Sequence, residues 1–395
     1  MKNIRIVHLD LTAFFVSVER LLDPSLVGKP VIVAGRAESR GVVACASYEA
    51  RHYGVRAGIP TGAAERKCPS VIRVDAHYDA YEKYSTKVQQ FLKTYSPIFE
   101  AASVDEFYMD WTGCEKLFGG DLFNFALRIQ KTISTKFGLP CALGIASNKM
   151  AAKIACGQAK PEGVIEIAGG HEATFLKPLS VGAISGVGEI TLEKFHLRGI
   201  RTCGQLAKTD SEMIGQSFGK VGLAVQQYAR GGGDRFLTVE REQKKISRET
   251  TFATDTRDIK FLSETLHEMI LEITEELRCL DLKAQCLHVK IRYSDWVDHT
   301  RQVKISPSND PGILYQNILR LLKKADTRRV TMRLIGVGLS KLTHDVFTMD
   351  MLKQDEEKRE HLLKAVDKIN YKYGESVVKV GCVGTRHGAF PQNTP

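Results

Sequence analysis

Three acids carry the first sign of chemistry. Asp10 closes a short apolar stretch, and Asp105 and Glu106 stand side by side in Ala102-Ser103-Val104-Asp105-Glu106-Phe107-Tyr108-Met109-Asp110. Adjacent residues of a strand point to opposite faces, so two ionised neighbours between apolar residues belong at a turn, a sheet edge or a metal. Hard oxygen ligands drawn from two chain segments suit Mg²⁺. A pair of such ions, about 3.5–4 Å apart, would activate an attacking hydroxyl and steady a leaving phosphate. The spacing alone leaves a plainer reading open, that these acids are solvated strand ends.

Four further clusters could meet phosphate. Tyr48 and Arg51, in Ala46-Ser47-Tyr48-Glu49-Ala50-Arg51, lie three apart on one face of a helical turn. Arg suits a bidentate phosphate contact and Tyr a single hydrogen bond. Lys160, in Ala159-Lys160-Pro161-Glu162-Gly163, falls at a helix end, where its charge could meet a phosphate or complement the helix C-terminus. Gly186-Val187-Gly188 sits between two short helices; it either lets backbone N–H groups approach a nucleic-acid backbone or makes only a tight turn. The stretch Leu287-His288-Val289-Lys290-Ile291-Arg292-Tyr293 alternates apolar with basic, turning His288, Lys290 and Arg292 to one face. Gln302, Lys304, Arg328, Arg329 and Arg333 add polar and positive groups. Such a face can track phosphates or simply face solvent.

These residues need elements to hold them. A strand over 4–10 ends on Asp10, and a helix over 14–22 follows, stopped by Asp23-Pro24 and Lys29-Pro30. Strands over 30–35 and 41–46, short helices over 48–53 and 62–67, and a helix over 80–94 come next. A hairpin over 99–111, a helix over 122–137, a strand over 141–147 and a helix over 148–159 complete a mixed α and β unit. From 175 to 231 the chain reads as helical and glycine-rich. Gly231-Gly232-Gly233 breaks that pattern, and the polar, basic stretch 241–248 reads as a linker. Strands over 250–254, 285–293, 300–306 and 331–342 alternate with helices over 261–278 and 311–325 in a second, smaller α+β unit. A charged helix over 355–373 and a strand-like piece end the chain.

A length of 395 residues suits two or more domains. The 56 Lys+Arg against 46 Asp+Glu give a formal charge of +10, which favours polyanion partners. No run nears the roughly 18 apolar residues of a membrane span. The first residues lack an apolar core followed by a small-residue cleavage site, so a cytoplasmic location and no membrane partner are expected. Nine cysteines without a C-x-x-C pair argue against structural zinc and against a disulfide framework.

Taken together, these segments resemble a Y-family (translesion) DNA polymerase of the DNA polymerase IV branch. The resemblance is carried by His8-Leu9-Asp10-Leu11-Thr12-Ala13-Phe14-Phe15-Val16-Ser17-Val18-Glu19, by Ala46-Ser47-Tyr48-Glu49-Ala50-Arg51-His52-Tyr53-Gly54-Val55 and by Ser103-Val104-Asp105-Glu106. Gly144-Ile145-Ala146-Ser147-Asn148-Lys149 with Ala159-Lys160-Pro161, the Gly186-Val187-Gly188 hairpin, and Ile246-Ser247-Arg248-Glu249-Thr250-Thr251-Phe252 follow in the same order. It implies an α+β multidomain, right-hand fold. Residues 1–19 and 77–166 would form the palm, 20–76 the fingers, and 167–233 a helix-hairpin-helix thumb. Residues 234–243 would be a linker, 244–342 the little finger, and 343–395 a tail with a partner-binding segment.

The resemblance also implies roles. Asp10, Asp105 and Glu106, with the Leu11 carbonyl, would hold two Mg²⁺ ions, with Mn²⁺ able to substitute. Asp10 and Asp105 would bridge both, and Glu106 would hold the ion that activates the primer 3′-hydroxyl. Tyr48, Arg51 and Lys160 match triphosphate contacts. Phe15 matches a steric gate against a ribose 2′-hydroxyl, with Phe14, Ala44 and Cys45 completing the nucleotide site. The small Ala44 and Ala46 would leave an open pocket over the templating base, lowering discrimination. Gly186, Val187, Gly188, Lys245, Arg248, Lys290, Arg292, Lys304 and Arg333 match DNA contacts. The implied activity is template-directed, low-fidelity addition of dNTPs to primer–template DNA by a monomer, in translesion synthesis during DNA damage tolerance.

Three positions depart from the family pattern. Thr12 stands where a second acid is common, at a position that is not a metal ligand. Cys45 replaces a hydroxyl residue that commonly touches the triphosphate. The tail has no clear Gln-x-x-Leu-Phe peptide for a sliding clamp; Val346-Phe347-Thr348-Met349-Asp350-Met351-Leu352 is either a degenerate version or a connector. Two other readings compete: a polymerase-like scaffold that grips DNA without catalysis, and a metal-dependent nuclease. The second leaves Tyr48, Arg51, Lys160 and Phe15 unexplained.

Overall fold

The computed structural model describes residues 4–239, 242–344, 354–374 and 377–378. They divide into two units, Met1–Arg241 and Glu242–Pro395. In the first, β1 (Ile6–Leu11) leads into α1 (Phe14–Leu22), then β2 (Val31–Ala34), β3 (Val43–Ala46), α2 (Tyr48–His52), α3 (Thr61–Lys67), β4 (Ile72–Val74) and α4 (Tyr78–Lys93). β5 (Phe99–Ala101), β6 (Glu106–Asp110), α5 (Leu122–Phe137), β7 (Cys141–Ala146), α6 (Lys149–Ala159) and β8 (Gly163–Glu166) follow. Four helices close the unit: α7 (Glu172–Leu176), α8 (Glu189–Leu197), α9 (Cys203–Lys208) and α10 (Ser211–Ala229).

The main sheet has the order β5-β6-β1-β7-β8. Its central strand β1 is buried on both faces, and alternation gives each face its own task. Val7, Leu9 and Leu11 enter a core with Val16 and Val18 of α1, Val88 and Leu92 of α4, and Ile129 and Ile133 of α5. Ile6 joins a smaller cluster with Ala151, Ala152 and Ala155 of α6, so His8 and Asp10, on that same face, are turned toward α6. On β7 that face carries only Ala142, Gly144 and Ala146. A Cβ on Gly144 would lie 2.1 Å from the Ala152 carbonyl oxygen and 2.3 Å from the Cys156 nitrogen. Only glycine admits so close a helix, and the approach fixes where the lysines of α6 stand.

A three-stranded sheet, β3-β2-β4, packs with α2 and α3 around Ile32, Val43, Ala46, Ala50 and Ala64. The strands β4 and β8 are not anticipated by the sequence pattern. Each is three or four residues long and pairs in parallel with a neighbour already in place. Such short edge strands carry too few alternations to show a period.

The second unit runs β9 (Lys245–Thr256), α11 (Ile259–Cys279), β10 (Leu282–Tyr293), β11 (Asp298–Ser308), α12 (Pro311–Ala325), β12 (Met332–His344) and α13 (Gln354–Tyr373). Its sheet order is β11-β10-β12-β9. Both α11 and α12 cover one face, burying Leu287, Val289 and Ile291 of β10 with Leu266, Ile270, Leu314 and Ile318. The reading of 241–248 as linker is corrected here: β9 begins at Lys245, with Ile246 opposite Leu339 and 2% exposed. One apolar residue among charged ones conceals a strand that the register with β12 specifies. The helix α13 is tied to its own unit by Arg278–Asp367 at 2.6 Å, Lys283–Glu360 at 3.1 Å and Arg359–Asp310 at 2.5 Å. The segment 346–352, read as a degenerate clamp peptide, lies outside the described residues. The eight described cysteines are free thiols, and no described helix is long and apolar enough to cross a membrane.

Candidate active site

The end of β1 and the start of β6 bring two of the acids together. The antiparallel register sets Asp10 opposite Glu106, and both side chains, with His8 and Tyr108, point to the α6 face. Asp105 sits one residue earlier, in the turn before β6. Its carbonyl accepts the Leu11 N–H at 2.9 Å, and the Ser103 hydroxyl donates to its Oδ1 at 2.6 Å. The two ionised neighbours are therefore divided between a turn and a strand.

Cations come from one side of α6. Lys149 meets Glu100 at 2.6 Å, Lys153 meets Glu106 at 2.5 Å, and Lys160, at the helix C-cap, meets Asp10 at 2.8 Å. Among the described residues the acids do not close into a ready-made metal cluster; ammonium groups stand against Asp10 and Glu106 instead. Burial pushes the Asp10 carboxyl up to about 6, with Lys160 opposing and Asp105 and Glu106 reinforcing the rise. Burial works against the Lys160 ammonium, but Asp10 outweighs it and the pKa stands above the ordinary lysine value. His8 and Lys153 hold the Glu106 carboxyl down at about 2 against the pull of burial. The lysine contact is a hydrogen-bonded ion pair, whereas His8 Nε2 is 3.8 Å from Glu106, beyond hydrogen-bond reach. Neither ring nitrogen of His8, 1% exposed, has a hydrogen-bond partner among the described residues, and burial lowers its pKa.

A cleft of about 360 Å³ opens over this group. His8, Asp10, Glu106, Lys153 and Lys160 line one side, and residues 182–187 the other. Gly186 and Val187 thus share the cleft with the acids, while Gly188 is the N-cap of α8.

The turn from β1 to α1 is strained and anchored. Ala13 adopts φ 46° and ψ 47°, a left-handed conformation that costs a non-glycine residue about 1–2 kcal/mol. The buried Thr12 donates its hydroxyl to the Pro161 carbonyl at 2.5 Å, tying this turn to the residue after Lys160. A carboxylate at position 12 could not make that donation.

Beyond the turn, Phe15 stacks on Tyr81 with centroids 4.4 Å apart and planes at 14°. The Tyr81 hydroxyl donates to buried Glu19, which also lies 3.0 Å from His77 Nδ1. Phe14 points into the core at 2% exposure, so its ring is not brought to the cleft. Cys45 is buried, and burial raises its thiol pKa; Ala44 beside it is exposed. Arg51 lies over the Tyr48 ring at 4.7 Å and donates Nε to the Ala46 carbonyl at 2.9 Å.

In the second unit, the sheet face away from α11 and α12 carries Lys245, His288, Lys290, Arg292 and Lys304 in adjoining rows. Lys290 meets Glu249 at 2.8 Å and Arg292 meets Asp298 at 2.6 Å. Arg248 differs: its side chain lies on the helical side, 2.8 Å from Glu276 and 3.4 Å from Glu272. Arg333 is the extra residue of a β12 bulge against β10, between Met332 and Leu334. Sequence reasoning assigned no role to Lys153 or Tyr81, and met His8 only within a motif. The signal available for Lys153 was its spacing from Lys149 and Lys160 along one helix side.

Residues 9–157 match the model of the impB/mucB/samB family, and residues 243–351 match that family's C-terminal domain. The DNA polymerase IV of Dehalococcoides mccartyi strain CBDB1 is 38% identical over 379 residues, which is 95% of this chain and 97% of that one. Among solved structures, a Y-family DNA polymerase chimera of Dbh and Dpo4 matches with a TM-score of 0.76 at 26% identity, covering 86% of this chain and 100% of the other. An insertion ternary complex of Dbh DNA polymerase matches with a TM-score of 0.59, also at 26% identity and with the same coverage. Models matched in both units and a relative aligned almost end to end agree: the chain belongs to the impB/mucB/samB family and is a Y-family DNA polymerase of the DNA polymerase IV kind.

Proposed function

We propose that the cleft between the five-stranded sheet and the glycine hairpin is where this chain, a DNA-directed DNA polymerase of the translesion type, adds dNTPs to a primer 3′-end. The observation that carries the reading is the placement of Asp10 opposite Glu106, with Asp105 in the adjoining turn and Lys160 against Asp10. In this reading 1–19 and 77–166 are palm, 20–76 fingers, 167–233 thumb and 244–342 little finger.

The donor set fits hard divalent cations: Asp10, Glu106, Asp105 in the adjoining turn and the Leu11 carbonyl lie near one end of two neighbouring strands, and Lys160 and Lys153 hold the places of positive charge against Asp10 and Glu106. Two Mg²⁺ ions, with Mn²⁺ as a substitute, would supply hydroxyl activation and charge neutralisation there. Asp10 and Asp105 would hold both. Glu106, ionised throughout the working pH range, would hold the one nearer the primer. Lys160, Tyr48 and Arg51 orient the triphosphate, and Phe15, braced on Tyr81, bars a ribose 2′-hydroxyl. Phosphoryl transfer asks mainly for such positioning and charge compensation. Primer–template DNA is bound by the outward sheet face of the second unit and by Gly186 and Val187. The small Ala44 and Ala46 suit a roomy pocket and low fidelity. Work as a monomer in the cytoplasm, in damage tolerance and repair, with a sliding clamp engaged through 343–395, completes the proposal.

Extension of a labelled primer with Mg²⁺ and each dNTP singly tests this reading. Addition of only the template-matched nucleotide, stopped by EDTA, is expected. Tight DNA binding without extension under either metal would favour the silent scaffold.

A further inference from the structure

Away from the cleft, the second unit holds an exposed tryptophan in a setting built to keep it there. Trp296 lies in the turn between β10 and β11 and is 63% exposed, whereas Trp111, the chain's other tryptophan, is fully buried. A single exposed apolar residue is ordinary; this one is set apart by what holds it and what lies over it. Trp296 has φ +68°, a left-handed conformation that a bulky residue rarely adopts. The turn is locked around it. The Trp296 N–H donates to the Tyr293 carbonyl at 3.0 Å, the Tyr293 N–H to the Val297 carbonyl at 3.0 Å, and the Ser294 N–H to the Thr331 carbonyl at 2.9 Å. Arg328 clamps Asp295 with both terminal nitrogens, at 3.0 and 2.5 Å.

Two guanidinium groups lie over the indole, Arg333 at 4.4 Å and Arg292 at 5.6 Å from the ring centroid. Against β10, Arg333 is inserted between Leu334, paired with Arg292, and Met332, paired with Tyr293, and a bulge re-aims the side chain it inserts. The charges are not equally available. Arg292 is taken by Asp298 and Arg328 by Asp295, while Arg333 makes no ion pair among the described residues. The turn therefore presents an exposed indole with the guanidinium of Arg333, which has no ion pair among the described residues, over its ring, at one end of the sheet face that carries Lys290 and Arg292.

We propose that Trp296 and Arg333 form a stacking site for an unpaired nucleotide of the bound DNA, the base lying against the part of the indole that the guanidinium groups leave exposed and its phosphate meeting Arg333. The proposal rests on the reading of the chain as a DNA polymerase. Aromatic rings and guanidinium planes recognise bases by their faces, and those faces are free only where the strand is unpaired. Duplex DNA offers Arg333 a phosphate but offers Trp296 no open base.

The test compares the full chain on two DNAs of equal paired length, one blunt and one with a 5′ template overhang. Because Trp111 is buried, quenching of tryptophan emission reports on Trp296; the overhang DNA should quench and the blunt duplex should not. Trp296→Ala should weaken binding to the overhang DNA about five- to 150-fold and change blunt-duplex affinity less than about twofold. Trp296→Phe, which keeps a ring, should retain most of the affinity for the overhang. Arg333→Ala should flatten the salt slope on the overhang DNA by about 0.7. Equal loss on both DNAs, or no loss on either, overturns the proposal. So does unchanged emission at saturating DNA, which would leave the turn to a protein partner. A wild type that binds neither DNA would remove the polymerase reading itself, a distinct result.

Discussion

Lys160 reaches Asp10 at 2.8 Å, so a carboxyl that burial pushes up is answered by a cation at the end of α6. The same lysine lies in electrostatic range of Tyr48, another of the residues assigned to the triphosphate. Replacing the lysine removes its charge-assisted hydrogen bond to Asp10. Lys160→Ala should lower kcat/KM for dNTP insertion about 10- to 100-fold, and Lys160→Arg should restore part of it. Single-nucleotide insertion kinetics would read both, and an unchanged kcat/KM in the alanine variant would contradict the assignment.

Metal binding should depend on pH in a window that Asp10 sets. Its carboxyl, pushed up to about 6, is mostly protonated below that pH and mostly ionised above it, whereas Glu106, held at about 2, stays ionised throughout. A metal that needs the Asp10 carboxylate must displace its proton. Mn²⁺ affinity of the DNA-free protein should fall about tenfold per pH unit below 6 and level off above 7. Asp10→Asn should lose this dependence. Calorimetric titrations between pH 5 and 8 that gave one constant affinity for the wild type would count against Asp10 as a ligand.

Sugar discrimination should follow the Phe15–Tyr81 stack. Phe15→Ala empties the space that a 2′-hydroxyl would need, and relief of that overlap should raise ribonucleotide insertion about 10- to 100-fold. Tyr81→Leu leaves the gate in place but takes away its support, so an intermediate rise is expected. The ratio of dNTP to rNTP insertion efficiencies measures both. An unaltered ratio in Phe15→Ala would remove the gate.

Thr12 offers a stability test that leaves the acids untouched. Thr12 is buried and its hydroxyl donates to the carbonyl of exposed Pro161, so Thr12→Val removes that bond at a cost of about 0.5–1.5 kcal/mol. Denaturant midpoints of the two proteins should differ accordingly. Thr12→Asp should be at least as costly, because a carboxylate cannot donate there. Equal midpoints would show that the hydroxyl is spare.

Much of this molecule is legible in its sequence because its long elements carry clear periods. The helix Leu122–Phe137 has the ends expected of it, since Asp121 caps one end and Gly138 closes the other. The strand β1 is equally plain, with a dense apolar run ending on Asp10. What could not be read is what register supplies. Nothing in the order of residues places Asp10 opposite Glu106, or turns the Lys149, Lys153 and Lys160 side of α6 to acids on three different strands. Arg248 shows the same limit: a strand assigned to the linker gave no parity, so its side chain could not be placed on the helical side beside Glu276. Tyr81 is a buried position of α4, and nothing in its spacing tells that its ring stacks on Phe15.

The central claim is that Asp105 and its neighbours form a phosphoryl-transfer site, and Asp105→Ala tests it most directly. Wild type and variant would be run on one labelled primer–template with Mg²⁺, with extension and DNA affinity measured on the same samples. The account predicts template-matched addition by the wild type, none by the variant, and DNA affinities within about twofold of each other, because the role proposed for Asp105 is to hold metal rather than DNA. Extension by Asp105→Ala at the wild-type rate would contradict it.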